Sequence, residues 1–90
     1  MRFRFDPSKN LEVKRKHGVS LDEATEVFDQ AYLVDRKNDN SEQFRAIGWS
    51  RGRLCSVIYE IRSDSEGEFH WLVTAWKSTA KEQDSYAENI

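Results

Sequence analysis

Residues 51–61, with the sequence R-G-R-L-C-S-V-I-Y-E-I, decide the fold. A turn signal at residues 50–52 precedes a run rich in Val, Ile, Tyr and Leu without Pro or Gly, which is typical of a central strand. Alternation along a strand gives it one face that we expect to be buried, formed by Cys55, Val57, Tyr59 and Ile61. The other face is expected to be only half buried and carries Leu54, Ser56, Ile58 and Glu60. Because a single strand is not stable alone, flanking segments must pair with it and cover the buried face.

The size and composition of the chain predict one small globular domain, residues 1–90. Three Trp and five Phe argue for a real core although hydrophobic residues make up only 38% of the chain. With Cys55 as its one cysteine, the chain cannot form an internal disulfide, and we expect a reducing compartment. No apolar run approaches the ~18 residues of a membrane span and no signal-peptide pattern opens the chain, so we expect a cytoplasmic protein without membrane contact.

The first helix is predicted from its capping signals. Asp6 is the expected N-cap, Pro7 occupies the first helical position, and the helix ends near His17 before Gly18. Its last turn holds a basic cluster at residues 14–17, where cations meet the negative end of the helix dipole. This structural role explains the cluster, and an RNA-binding surface is the functional alternative.

The remaining elements follow from capping boxes and alternation. Ser20 with Glu23 opens a second helix that ends at residues 29–30, and Thr79 with Glu82 opens a C-terminal helix. Further strands are predicted at residues 2–5, 31–35, 43–49 and 68–76, with loops at 36–41 and 62–67; the facing of the strand at 68–76 is ambiguous. The order β-α-α-β-β-β-β-α predicts an α+β fold in which an antiparallel sheet packs against helices.

The sequence gives no sign of metal or nucleotide chemistry. The single cysteine and the distant His17 and His70 show no ligand spacing, so we expect neither a metal nor another cofactor. A glycine-rich phosphate loop and a nucleophile elbow are also missing from the sequence.

Basic and aromatic residues of the predicted sheet suggest RNA as a ligand. These residues would converge if their strands are neighbours, and they are Arg45, Trp49, Arg51, Arg53, Trp76 and Lys77. Guanidinium groups bind phosphate and aromatic rings stack on unpaired bases. The same residues also suit an acidic protein segment, or ordinary edge charges and core aromatics. The net charge of −2 is low for a nucleic-acid binder.

Several short motifs in the same order resemble the BrnT family of bacterial type II toxin–antitoxin toxins. The similarity spans nearly the whole chain, and the most recognisable segment is Lys16-His17-Gly18-Val19-Ser20. The other similar segments are Phe5-Asp6-Pro7-x-Lys9, Glu23-Ala24, Val27-Phe28-Asp29, Glu42-x-Phe44-x-x-Ile47-Gly48, Ser50-Arg51-Gly52-Arg53-Leu54, Val57-Ile58-Tyr59, Thr74-Ala75 and Thr79-x-x-Glu82-x-x-x-Tyr86.

The resemblance implies a RelE-like fold and a ribonuclease that cleaves RNA without a metal ion. It also implies neutralisation by a small antitoxin with a ribbon-helix-helix domain, through which the complex contacts DNA indirectly. In such enzymes the ribose 2′-OH attacks the adjacent phosphate, which requires a base, an acid and cations. The residues that we assign to catalysis are His17, Arg53 and Lys77, and those assigned to RNA binding are Lys14, Lys16, Arg45, Arg51 and Trp76. His17 has a structural alternative as the helix end, and Arg53 as an exposed edge charge.

Three positions depart from the family pattern. Gln43, Trp71 and Trp76 stand where the family commonly has basic residues. Arg45 and Lys77 lie nearby, although lysine lacks the bidentate fork of arginine. The alternative function is therefore a catalytically weakened or inactive BrnT-like fold that acts as a protein-binding module or as a co-repressor with the antitoxin.

Overall fold

The protein is described by a computed structural model that covers residues 1–36 and 42–90. Most of the loop predicted at 36–41 therefore lies outside the described residues. The described elements, in chain order, are β1 (Phe3–Arg4), α1 (Pro7–His17), α2 (Leu21–Ala24), a 3-10 helix (Thr25–Asp29), β2 (Leu33–Arg36), β3 (Gln43–Ser50), β4 (Arg53–Asp64), β5 (Gly67–Lys77) and α3 (Ala80–Asn89). The predicted α+β class and element order are confirmed.

The five strands form one sheet in the order β1-β5-β4-β3-β2. Strands β2 to β5 pair antiparallel as predicted, whereas β1 runs parallel to β5, with Phe3 opposite His70. The sheet is therefore mixed. Because β1 and β5 lie at opposite ends of the sequence, no hairpin turn requires this pair to be antiparallel.

Local capping chemistry fixes both ends of α1. The Asp6 carboxylate accepts a hydrogen bond from the Ser8 backbone N–H at 2.8 Å, and Gly18 closes the helix in the left-handed region with φ of 74°. The predicted bounds of α1 are confirmed. The second helix is shorter than predicted, since the chain tightens into the 3-10 helix after Ala24. There the Thr25 hydroxyl donates to the Asp22 carbonyl at 2.7 Å, a local bond that competes with regular helix.

The helices α1 and α2 cover one side of the sheet, which we call the inner face. Its buried core joins helix residues Val13 and Leu21 to strand residues Cys55, Val57 and Tyr59, and the burial of these three strand residues was predicted. The predicted burial of Ile61 is wrong, since 48% of this residue is exposed. The reason is that β4 continues to Asp64 and β5 starts at Gly67, so the predicted loop at 62–67 is mainly a strand extension closed by a tight turn.

The opposite side of the sheet, which we call the outer face, is more buried than predicted. Ser56 and Ile58 are almost completely inaccessible, and the Ser56 hydroxyl bonds to that of Ser78 at 2.9 Å. Helix α3 lies on this face, where Glu82 contacts Arg45.

A register shift between Ile58 and Tyr59 resolves the ambiguous facing of β5. On the inner face Cys55 lies opposite Lys77, and on the outer face Ser56 lies opposite Trp76. Because of this shift, odd-numbered residues of β5 face inward on one side of it and even-numbered residues on the other, which a simple alternation pattern does not reveal.

Candidate functional site

A group of cationic side chains meets at the end of α1, around the backbone of Gly18. The Gly18 carbonyl accepts hydrogen bonds from Lys14 Nζ at 3.3 Å and from Arg53 Nη2 at 3.2 Å. The Lys77 side chain also lies against Gly18, because a Cβ placed there would be 3.2 Å from Lys77 Cε. We call this cluster, formed by Lys14, Gly18, Glu23, Arg51, Arg53 and Lys77, the Gly18 corner.

The buried carboxylate of Glu23 organises the Gly18 corner. It accepts a hydrogen bond from Lys14 Nζ at 2.6 Å and lies 3.4 Å from Arg51 Nη1 and 3.5 Å from Arg53 Nη2. The hydrogen bond from Lys14 is the main cause that lowers the pKa of Glu23 to about 2, and bonds from Ser20 add to it against the opposing effect of burial. Glu23 therefore stays ionised and holds three cations close together.

The corner keeps a net positive charge. Lys14, Arg51, Arg53 and Lys77 supply four positive charges, and Glu23 with the neighbouring Glu26 supplies two negative ones, which leaves +2. Lys77 is exposed and, within residues 1–36 and 42–90, forms no ion pair. An anion can therefore approach the corner from solvent and meet cations that the two carboxylates do not fully neutralise.

The β3–β4 turn positions two of these cations. Arg51 has φ of 53° and Gly52 has φ of 80°, so both turn residues are in the left-handed region typical of a tight hairpin. The turn directs the Arg51 side chain back to Glu26, with Nε 3.3 Å from a carboxylate oxygen. Arg53 follows as the first residue of β4 and donates from Nη1 to the Ser50 carbonyl at 3.1 Å.

His17 and Lys16 lie on the same helix end but differ in their surroundings. His17 is exposed, directly precedes Gly18 and makes no hydrogen bond or ion pair within the described part of the chain. Lys16 points along α1 and pairs with Glu12 at 2.9 Å. Of the predicted site residues, the structure thus brings together Lys14, Arg51, Arg53 and Lys77, with His17 adjacent along the chain.

Arg45 and Trp76 lie on the outer face, away from the Gly18 corner. Arg45 binds Asp35 on β2 and Glu82 on α3, and the Trp76 indole N–H donates to Glu82 at 2.9 Å. The expected convergence of the basic and aromatic strand residues on one face is therefore wrong. Strand alternation sends Arg53 and Lys77 inward and sends Arg45 and Trp76 outward.

The positions that depart from the family pattern also belong to the outer face. The Gln43 amide donates to Glu60 at 2.9 Å, and the guanidinium of Arg62 lies 4.8 Å from the ring of Trp71. Basic residues at positions 43, 71 and 76 would make this face strongly cationic. The expected departures from the family pattern therefore concern the outer face and involve none of the residues of the Gly18 corner.

Glu23 and Glu82 are functional candidates that the sequence did not single out. Both were predicted to be capping-box residues and lie within segments that resemble the family, without being assigned to the site, and both do complete capping boxes. A glutamate at this position is expected to face the solvent, yet both are buried beneath arginines. Their long-range partners depend on strand order, so the sequence offers no local signal for them.

The fold and the corner define a small α+β protein with a cationic surface site. A family model described as "Ribonuclease toxin, BrnT, of type II toxin-antitoxin system" matches residues 5–82. The chain belongs to this family of ribonuclease toxins, which implies an antitoxin as its partner. No curated protein matches the chain.

No three of the His, Cys, Asp and Glu side chains within residues 1–36 and 42–90 come together as metal ligands. No helix in the same ranges is long and apolar enough to cross a membrane.

Proposed function

We propose that the chain is an endoribonuclease toxin that cleaves RNA without a metal ion and uses the Gly18 corner to bind the reacting phosphate. The observation that supports this most is the meeting of Lys14, Arg51, Arg53 and Lys77 at one exposed place with an excess positive charge. Cations held before the reaction begins stabilise charge that develops on phosphate oxygens.

The proposed mechanism is attack by the ribose 2′-OH on the adjacent phosphate. Arg53 and Lys77 contact the phosphate oxygens, where the guanidinium offers two parallel N–H donors and the ammonium a mobile point charge. As the O2′–P bond forms and the P–O5′ bond breaks, a base removes the 2′-OH proton and an acid donates one to O5′. We assign one of these proton transfers to His17, because it is exposed, directly precedes Gly18 and carries a side chain that often serves as a general acid or base.

The partner that we propose is a small antitoxin with a ribbon-helix-helix domain. The family implies an antitoxin, and the resemblance extends to one that binds DNA, so that the toxin reaches DNA only indirectly. Purifying the chain together with the product of a neighbouring short reading frame tests this pairing. Failure to form a complex with such a product would refute the proposed antitoxin type.

The decisive experiment is RNA cleavage by the purified chain in the presence of EDTA. Arg53→Ala is expected to reduce the rate by about 10²- to 10³-fold, the usual effect of removing one donor to a charged transition state. Arg15→Ala is the matched control, because Arg15 is exposed on the same helix end but takes no part in the corner. Cleavage that stops with EDTA, or that survives Arg53→Ala unchanged, would contradict the proposal.

A second candidate function is a non-catalytic binding module. It is supported by Gln43, Trp71 and Trp76 at positions that the family usually fills with cations, and by the carboxylates that already pair with Arg51 and Arg53. In this case the folded chain binds the antitoxin but leaves RNA intact and growth unaffected after induction. RNA degradation that depends on Arg53 would exclude this function.

A further inference from the structure

The two edges of the sheet differ in how well they are protected. At one edge, β1 is only two residues long, and the side chains of Arg2 and Arg4 bind Asp64 there. At the other edge, β2 pairs all four of its residues with β3 and, within the described part of the chain, has a neighbouring strand on that side alone. An edge strand presents unpaired backbone N–H and C=O groups to any strand that can reach them.

Strand β2 has few of the features that usually keep an edge strand from pairing. It contains no proline, and its register with β3 runs without a bulge. The Asp35 carboxylate turns to the outer face, where it binds Arg45. The Arg36 guanidinium leans over the sheet and lies 5.8 Å from the centre of the Phe44 ring. Val34 stands in the middle of this edge with 42% of its surface exposed, so an apolar side chain marks the open side of the strand.

The exposed Val34 belongs to a longer apolar row on the inner face. Val34, Phe44 and Ile61 stand on the neighbouring strands β2, β3 and β4, and 48% of Ile61 is exposed. The helices leave this end of the inner face open, and a cavity of about 270 Å³ there is lined by Arg36, Glu42, Phe44 and Ile61. A partner that pairs with β2 would therefore also cover part of this row, and the burial of apolar surface would add to the backbone hydrogen bonds.

A second copy of the same chain fits this edge in an antiparallel register. When a twofold axis passes beside Val34, the facing pairs are Val34 with Val34 of the second copy, Leu33 with Asp35, and Tyr32 with Arg36. The inner faces of both copies then lie on the same side, and the Arg36 guanidinium meets the aromatic ring of Tyr32, which is a favourable pair. A register shifted by two residues towards the C-terminus would instead place Asp35 opposite Asp35, where like charges repel.

We propose that β2 is the interface of a homodimer, at which two copies of the chain join their five-stranded sheets into one continuous sheet. This inference does not rest on RNA cleavage. The Gly18 corner lies where α1 ends and β4 begins, so the pairing uses none of the residues that we assign to phosphate binding. Because one short strand and a few apolar side chains take part, the interface belongs to the small, weak class, and the dimer should dissociate in the micromolar range.

The test is sedimentation equilibrium of the purified chain, from low micromolar to near-millimolar concentration. We expect the average mass to rise from 10.6 kDa towards twice that value. Val34→Lys places two ammonium groups opposite each other at the twofold axis and should keep the chain monomeric throughout. Leu11→Lys is the matched control, because it makes the same kind of change at an exposed apolar side chain of α1 and should dimerise as the parent does. Circular dichroism of both variants should match the parent, since neither position is buried.

A cysteine crosslink tests the register itself. Cα atoms directly opposite each other in an antiparallel pair are about 4.5 to 5.5 Å apart, within the range that a disulfide spans. Val34→Cys should therefore form a disulfide-linked dimer under mild oxidation far more readily than Leu11→Cys, while the buried Cys55 thiol stays unreactive in both.

Several outcomes would overturn the inference. They are a parent chain that is monomeric at every concentration, dimerisation that survives Val34→Lys, and equal crosslinking of Val34→Cys and Leu11→Cys. A further one is protection of β2 amides from hydrogen exchange only after an antitoxin is added, because the edge would then belong to that partner.

Discussion

Replacing Glu23 by glutamine removes the charge around which the Gly18 corner is built. The amide oxygen of the new side chain can still cap the Ser20 N–H, so the change isolates the electrostatic contribution. The pKa of Glu23 lies at about 2, against an ordinary value of 4.5. At 1.36 kcal/mol for each pKa unit, this difference corresponds to an upper value of about 3 kcal/mol.

The expected loss is smaller than this upper value. Lys14 makes the largest contribution, but 51% of its side chain is exposed, so solvent and salt screen the pair. We therefore expect Glu23→Gln to lower the free energy of unfolding by about 1.5 to 2.5 kcal/mol at pH 7. Urea denaturation at fixed salt measures this difference.

The pH dependence of this stability difference is a stricter test of the role of the Glu23 charge. Because the folded-state pKa of Glu23 lies below its unfolded value, its stabilisation is complete above about pH 5 and is lost as the pH falls towards about 2. Asp64, whose pKa is also lowered to about 2 by Arg2, titrates in the same range in both proteins and cancels in the comparison. The difference in the free energy of unfolding between the parent and Glu23→Gln should therefore disappear at low pH.

The control for this series is Glu12→Gln. Glu12 pairs with Lys16 on the exposed surface of α1, so its replacement should leave the free energy of unfolding unchanged. A Glu23→Gln protein as stable as the parent at pH 7 would refute the central role of Glu23. A difference that persists undiminished at pH 2.5 would show that its effect is packing and does not come from charge.

Three further predictions concern the corner, the outer face and the core cysteine. Gly18→Ala and Gly52→Ala both place a side chain at positive φ, so both should lower thermal stability by a similar amount. Only the side chain at position 18 crowds Lys77, so Gly18→Ala should slow RNA cleavage more than Gly52→Ala does. Gln43→Arg should increase RNA affinity by adding a cation to the outer face, measured with non-cleavable RNA; unchanged affinity would exclude this face from RNA contact. Burial raises the pKa of the Cys55 thiol, so iodoacetamide should modify it slowly in the native protein and rapidly in urea, and equal rates would contradict its burial.

The elements that the sequence predicted well are those set by neighbouring residues. Asp6, Pro7 and Gly18 determine α1 through contacts within a few positions, and its bounds were therefore predictable. The inner face of β4 was also predictable from Cys55 to Tyr59, because alternation acts within a single strand.

The features that escaped the sequence depend on distant partners. The parallel pairing of β1 with β5 and the register shift beside Tyr59 arise only when the whole sheet assembles. Because of the shift, Lys77 lies on the inner face with Arg53, whereas Trp76 lies on the outer face. Of the candidate site, the residue types were therefore predictable, but their division between two faces and the buried roles of Glu23 and Glu82 were not.

The residues of the Gly18 corner are far apart in the sequence, and this separation has a consequence for protein synthesis. Lys14 and Lys77 meet at Gly18 although they stand near opposite ends of the sequence. At about 5 to 20 residues per second, a ribosome needs several seconds to pass from one to the other. During that interval the nascent chain has its first helix but no complete cation cluster. The proposed toxic site therefore arises late in translation, and truncated products that stop before β5 ends should be harmless.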